Sequence, residues 1–191
     1  MSANVPLKDK EKKSMTLYRI IALGFAGALA VGSNAAAQTM NAPAGTLVKA
    51  DQNFLNKAME GDLAEINMGK LAQQKGQSQD VKQFGQMLEQ DHSQHLEKAK
   101  QTAQQMGFTP PTEPNAKQKK TYDQLSKLSG AQFDRQFAQD MVKDHKEAIS
   151  TFGKEAKSKG PLADFAQQTV PTLQKHLRTA ESLTGQKSSE R

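Results

Sequence analysis

Four long stretches of this chain repeat apolar side chains at the three-and-four spacing of an α-helix, and a Gly or Pro signal bounds them. The first, Asp51 to Lys75, puts Phe54, Ala58, Gly61, Met68, Gly69 and Ala72 on one face, with Asp51 as the expected N-cap, and stops at Gly76. The second, Ser78 to Met106, carries Val81, Phe84, Leu88, Leu96, Ala99 and Ala103 and ends at Gly107, with Pro110 and Pro111 beyond. The third, Gly130 to Lys159, carries Phe133, Phe137, Met141, Ile149, Phe152 and Ala156. The fourth opens at Pro161, a favoured first helical residue, and runs through Phe165, Ala166, Thr169, Leu173, Leu177, Ala180 and Leu183, with a kink expected at Pro171. A strand alternates every second residue and cannot carry such stripes. With no Trp, two Tyr and few β-branched residues, an all-β fold is disfavoured and the chain reads as all-α.

The connections after the first and third helices are short, while Phe108 to Ser129 is long and contains three Pro and a Lys-rich stretch with Tyr122, Leu125 and Leu128 that suits a short helix. Two antiparallel hairpins joined by a long crossover follow, the connectivity of a ferritin-like four-helix bundle. A short internal repeat agrees: Lys75-Gly76 with Asp80-Val81 matches Lys159-Gly160 with Asp164-Phe165, and the same offset carries His92 onto His176.

Ahead of these helices, Lys8, Lys10, Lys12, Lys13 and Arg19 precede an apolar stretch from Ile20 to Gly32, and Ala35-Ala36-Ala37 supplies small residues for cleavage. At 13 residues the stretch is short of the about 20 that a membrane-spanning helix needs. Residues 1–37 therefore read as a secretory signal peptide, 38–50 as a linker, 51–184 as the helical domain and 185–191 as a disordered tail; the mature protein is expected in the periplasm or secreted, without a membrane span. Removing residues 1–37 takes five Lys/Arg and two Asp/Glu from a chain of net charge +6 and leaves +3. The remaining Lys117 to Lys120 cluster has no interleaved aromatics, so no nucleic-acid partner is expected. The sequence names no protein partner.

The chain contains no Cys, which excludes disulfides, thiolate metal sites and a Cys nucleophile. It also lacks a nucleophile elbow and a phosphate-binding Gly loop, so nucleophilic and nucleotide enzymes have little support. Metal chemistry here must use His, Asp and Glu. At 100° per residue, Glu65, His92, His145 and His176 each fall within the apolar arc of a different helix. The three His lie 15 or 16 residues from Gly76 or Gly160, about 22 to 24 Å along a helix, and so share a layer at mid-bundle, with Glu65 offset by about 7 Å and Asp62 nearer in depth but toward the edge of the seam. Converging imidazoles beside a carboxylate suit one divalent transition metal: zinc, copper, iron or manganese. Glu89-x-x-His92 has the spacing of a di-iron ligand pair, but Leu173 stands where its counterpart before His176 needs Glu, and too few seam carboxylates remain. The competing reading is a metal-free layer in which these His bond Asp91, Asp134 or Asp144 and fix helix register. His95, at the edge of the seam, is expected to pair with Asp91 or face solvent.

Phe54-Leu55 with Ala58, Gly61 and Glu65, Val81-Lys82 with Phe84-Gly85, Met87 and Asp91-His92, Phe133-Asp134-Arg135 with Phe137, Met141-Val142 and Asp144-His145, and Pro171 with Leu173 and His176-Leu177 together form a pattern. Over residues 50 to 184 it resembles the bacterial domain of unknown function 4142 family. The resemblance implies an exported, ferritin-like helical protein and marks Glu65, His92, His145 and His176 as the family's polar positions. It implies no activity. Members are often labelled outer membrane proteins, although this chain has neither barrel strands nor a lipid-modifiable Cys. The expected function is metal binding at these four residues, against a metal-free envelope stress or protein-interaction module with a structural His/Asp layer.

Overall fold

The computed structural model describes residues 49–185. The chain divides into Met1–Met40 and Asn41–Arg191, and everything described belongs to the second unit. The expected signal peptide, nearly all of the linker and residues 186–191 of the tail lie outside the described residues. Among those described there are five helices and no strand: α1 Lys49–Lys75, α2 Gln79–Gln105, α3 Ala116–Ser126, α4 Gly130–Glu155 and α5 Ala163–Leu183. None of them is long and apolar enough to cross a membrane.

Local chemistry sets the ends. Ser78 caps α2 by accepting from Val81 N at 3.2 Å. Gly107, at φ +71°, closes α2 where Phe108 N donates back to Ala103 O at 2.8 Å, a turn that favours glycine. The short helix in the long connection is α3, started by a reciprocal bond set between Asn115 and Gln118. Two expected starts differ. Helix α1 begins at Lys49, so Asp51 sits in its first turn instead of capping it. Helix α5 begins at Ala163, after a turn through Pro161 and Leu162, and runs on past Pro171.

Helix α1 packs mainly on α2 and α4 on α5, while α2 meets α5, α1 meets α4, and α3 touches both α1 and α4. Contacts fix the directions. Gly69 faces Gly85 and Asp62 faces His92, so α1 and α2 are antiparallel. Phe84 meets Phe137 and His92 meets His145, so α2 and α4 are parallel and the long connection returns the chain along the bundle. The turns at Gly76 and Gly160 therefore sit at opposite ends: Asp134, near the start of α4, accepts from Gln77 N and Ser78 N at 2.8 Å each, whereas Gly160 lies beside Asp51. Residues equidistant from those two turns still meet, because the distance is about half a helix length.

The interior is two apolar clusters. One gathers Phe54, Leu55, Met59, Leu96, Phe152 and Leu173; the other gathers Met68, Leu71, Phe84, Leu88, Phe133, Phe137 and Met141. Leu55, Met59 and Leu71 widen the buried face of α1 beyond the stripe read from periodicity, since α1 contacts α2, α3 and α4 at once. Between the clusters every long helix contributes a buried polar residue: Asp62 and Glu65 from α1, His92 from α2, His145 from α4 and His176 from α5.

Candidate metal centre

Each histidine occupies a core position of its helix. His92 lies one turn from Leu88 and Leu96, His145 one turn beyond Met141, and His176 between Leu173 and Ala180; all five neighbours are buried. His145 is 1% exposed and His176 0%. Ring centroids are 5.9 Å apart for His92 and His145, 5.3 Å for His92 and His176, and 5.2 Å for His145 and His176. One ring nitrogen of each lies within 4.8 Å of the other two, which makes the three a group able to hold a metal ion.

The hydrogen bonds fix how each ring is used. His92 Nδ1–H donates to Asp62 Oδ1 at 2.8 Å, His145 Nδ1–H to Met141 O at 2.9 Å and His176 Nε2–H to Asp91 Oδ2 at 2.9 Å. Carbonyl and carboxylate oxygens only accept, so these nitrogens carry the protons. The other nitrogens, His92 Nε2, His145 Nε2 and His176 Nδ1, are the ones left for a ligand. His145 Nε2 and His176 Nδ1 stand 3.2 Å apart, and His92 Nε2 is buried with no partner. Two ligands at 2.0–2.1 Å from one tetrahedral ion would stand about 3.3 to 3.4 Å apart, so that pair is already spaced for a shared ion.

Electrostatics leave the trio with room for one cation. Burial, then the charge of His92, holds His145 down at about 3. Burial likewise brings His176 to about 4 against the pull of its Asp91 bond. His92 goes the other way: burial opposes its charge, but the bond to Asp62 and the carboxylates of Glu65, Asp62 and Asp91 outweigh it. Burial opposes ionisation of Asp62, yet the bonds from His92 and His95 keep its pKa below the ordinary value. Positive charge in this layer is therefore favoured at His92, beside the carboxylates of Asp62, Glu65 and Asp91, while His145 and His176 stay neutral.

Glu65 stands beside this group and is not one of the three. Its Oε1 is 3.9 Å from His145 Nδ1, its Oε2 is buried without a partner, and burial pushes its carboxyl up to about 7 despite the opposing charge of His92.

The profile of the family described as Domain of unknown function (DUF4142) matches residues 36–183. The chain belongs to the DUF4142 family. No curated protein matches this DUF4142 chain. Among solved structures it is similar to one titled "Crystal structure of DUF305 fragment from Deinococcus radiodurans", with a TM-score of 0.64 at 16% identity over 72% of this chain and 97% of that one. At that identity the likeness speaks for the helical fold alone.

Several partners in the DUF4142 chain differ from those expected. Of the three Asp considered for the histidines, only Asp91 bonds one. Asp134 ties the start of α4 to the α1–α2 turn, and Asp144 acts on Glu65 through its charge. His95 bonds Asp62, at 2.7 and 2.9 Å, and Thr169 Oγ1 at 3.1 Å, not Asp91. Asp62 plays a larger part than its edge position predicts. Placed at the seam edge by projection, it is 3% exposed and braces two histidines one turn apart on α2. Glu89 turns away from the layer to Gln73 Nε2 at 2.7 Å.

Proposed function

We propose that this DUF4142 protein binds one divalent transition metal through His92, His145 and His176, with Glu65 as the adjoining carboxylate. The observation that carries this reading is the bonding pattern: each imidazole donates one N–H to a fixed acceptor and keeps its other nitrogen for a common centre, the arrangement by which metal-bound histidines are oriented. Zinc, copper, iron and manganese all accept imidazole nitrogen, and the scarcity of carboxylates argues against a di-iron oxidase. The parallel run of α2 and α4 supports a ferritin-like connectivity. The basic, apolar and small-residue succession in residues 1–37 supports export, with the mature chain in the periplasm or secreted.

A metal-free polar layer is the competing reading, favoured by the hydrogen bonds of His92 to Asp62 and of His176 to Asp91. Elemental analysis of untagged protein after supply of zinc, copper, iron and manganese in turn decides between them. Close to one equivalent, lost in His145→Ala and His176→Ala, is expected; substoichiometric metal under every supply would leave the polar layer standing.

A further inference from the structure

Three imidazoles do not complete a tetrahedral ion, and what lies on the open side is informative. Glu65, His92, His145 and His176 all line a cavity of about 450 Å³. That volume is far above a water's and within the range of organic ligand sites. Among the described residues, two of the three buried side-chain atoms without a hydrogen-bond partner belong to this wall, Glu65 Oε2 and His92 Nε2, on residues 8% and 7% exposed. The rest of the wall combines an aromatic group with polar side chains, among them Lys57, Lys98 and Asp144. Phe54 and Phe152 meet edge to face at 4.9 Å, Phe165 packs within 6.5 Å of both, and the His95 ring tilts against Phe165 at 4.9 Å. Asp62 and Thr169 hold the nitrogens of that ring, which leaves its face as part of the wall.

We propose that this cavity is a binding pocket for a small planar aromatic molecule with a Lewis-basic nitrogen and an N–H or O–H donor. Its nitrogen fills the coordination position the three imidazoles leave open, its donor reaches Glu65, and its ring lies against Phe165 at the edge of the Phe54–Phe152 pair. The inference rests on the metal reading above. Each part answers a feature of the wall: the donor satisfies the unpaired carboxylate, and the ring packs on Phe165, the half-buried member of the aromatic group.

The test uses protein loaded with Co²⁺, whose visible bands change with coordination, titrated with imidazole and with 4-phenylimidazole while retained cobalt is monitored. Both should shift the bands, with 4-phenylimidazole at least tenfold tighter. Phe165 is half-buried near the start of α5, so Phe165→Ala and the milder Phe165→Leu leave the metal layer in place. Both substitutions should remove most of that tenfold while leaving imidazole within about twofold of its original affinity. Unchanged bands with cobalt retained would mean a closed centre and overturn the proposal, and so would equal affinities for the two probes. Failure to take up Co²⁺ at all would overturn the metal reading itself, a result distinguishable from either of the others.

Discussion

His145 Nε2 and His176 Nδ1 face each other at 3.2 Å with the second nitrogen of each ring already committed, one to the Met141 carbonyl and one to Asp91. Both rings are held neutral by burial, so two lone pairs confront one another unless a cation stands between them. A ligand that binds only the folded state stabilises it by mass action, so Zn²⁺ at 100 times its Kd should add about 2.7 kcal/mol to the unfolding free energy. Urea unfolding with and without metal measures this, and His176→Ala should abolish the gain.

The acceptors behind the histidines matter as well as the histidines. Asp91→Asn keeps all three imidazoles but weakens the bond that orients His176. It is expected to lower metal affinity by about 10- to 100-fold in a chelator competition. An unchanged affinity would show that Asp91 does not set the ring.

Asp62 serves two rings at once, and its loss leaves both His92 Nδ1 and His95 Nδ1 without an acceptor in a buried layer. Asp62→Ala should cost about 3 kcal/mol or more in metal-free protein. Removing the exposed partner of Lys100, by Glu97→Ala, should stay within about 0.5 kcal/mol. Urea midpoints at constant m-value compare the two.

The pH dependence carries a separable contribution from Glu65. Its carboxyl rises from 4.5 to about 7 on folding, so the folded state binds that proton more tightly than the unfolded state. The stability this contributes is complete below about pH 4.5 and is lost as the pH climbs to about 7, on the order of 3 kcal/mol in all. His145 and His176 have the opposite sign: at about 3 and about 4 against 6.5, the unfolded chain takes their protons first, and stability falls as the pH drops below 6.5. Glu65→Gln removes the first effect, together with the share of Glu65 in raising His92, and keeps the His145 and His176 contributions. The stability of that variant relative to the parent should therefore increase between about pH 4.5 and about pH 7, in chelator; a flat difference would refute the burial-driven shift.

Backbone approach gives a paired prediction. A Cβ on Gly69 would lie 2.5 Å from Gly85 O and 3.0 Å from Glu89 N, so Gly69→Ala must push α1 away from α2 and should cost about 2 kcal/mol or more. Gly153 in α4 has open space around it, and Gly153→Ala should stabilise by about 0.5 to 1 kcal/mol. Thermal unfolding of the two variants tests both signs.

The helices and the histidine layer were legible because both follow from one period: a His in an apolar stripe declares its own burial, and counting from a turn gives its depth. The role of Asp62 as acceptor for two histidines was not legible. A 100° projection cannot tell whether a residue at the edge of a stripe faces a neighbouring helix, and that depends on how α1 crosses α2, set by Gly69 against Gly85. Leu55, Met59 and Leu71 were missed for a related reason. Leu71 shares a cluster with Leu125 of α3, while Leu55 and Met59 pack with residues of α2, α4 and α5, and nothing in the α1 sequence announces so many neighbours. His95 followed Asp62: with its acceptor unrecognised, Asp91 was the nearer choice along the same helix.

The polar layer draws His92 from the first hairpin and His145 and His176 from the second, in a chain without a single cysteine. A metal ion held there would act as a removable staple, closing one loop between His92 and His145 and another between His145 and His176 by coordination bonds instead of sulfur. Such a clasp would resist reducing agents, yield to chelators and to acid, and reseal when metal returns.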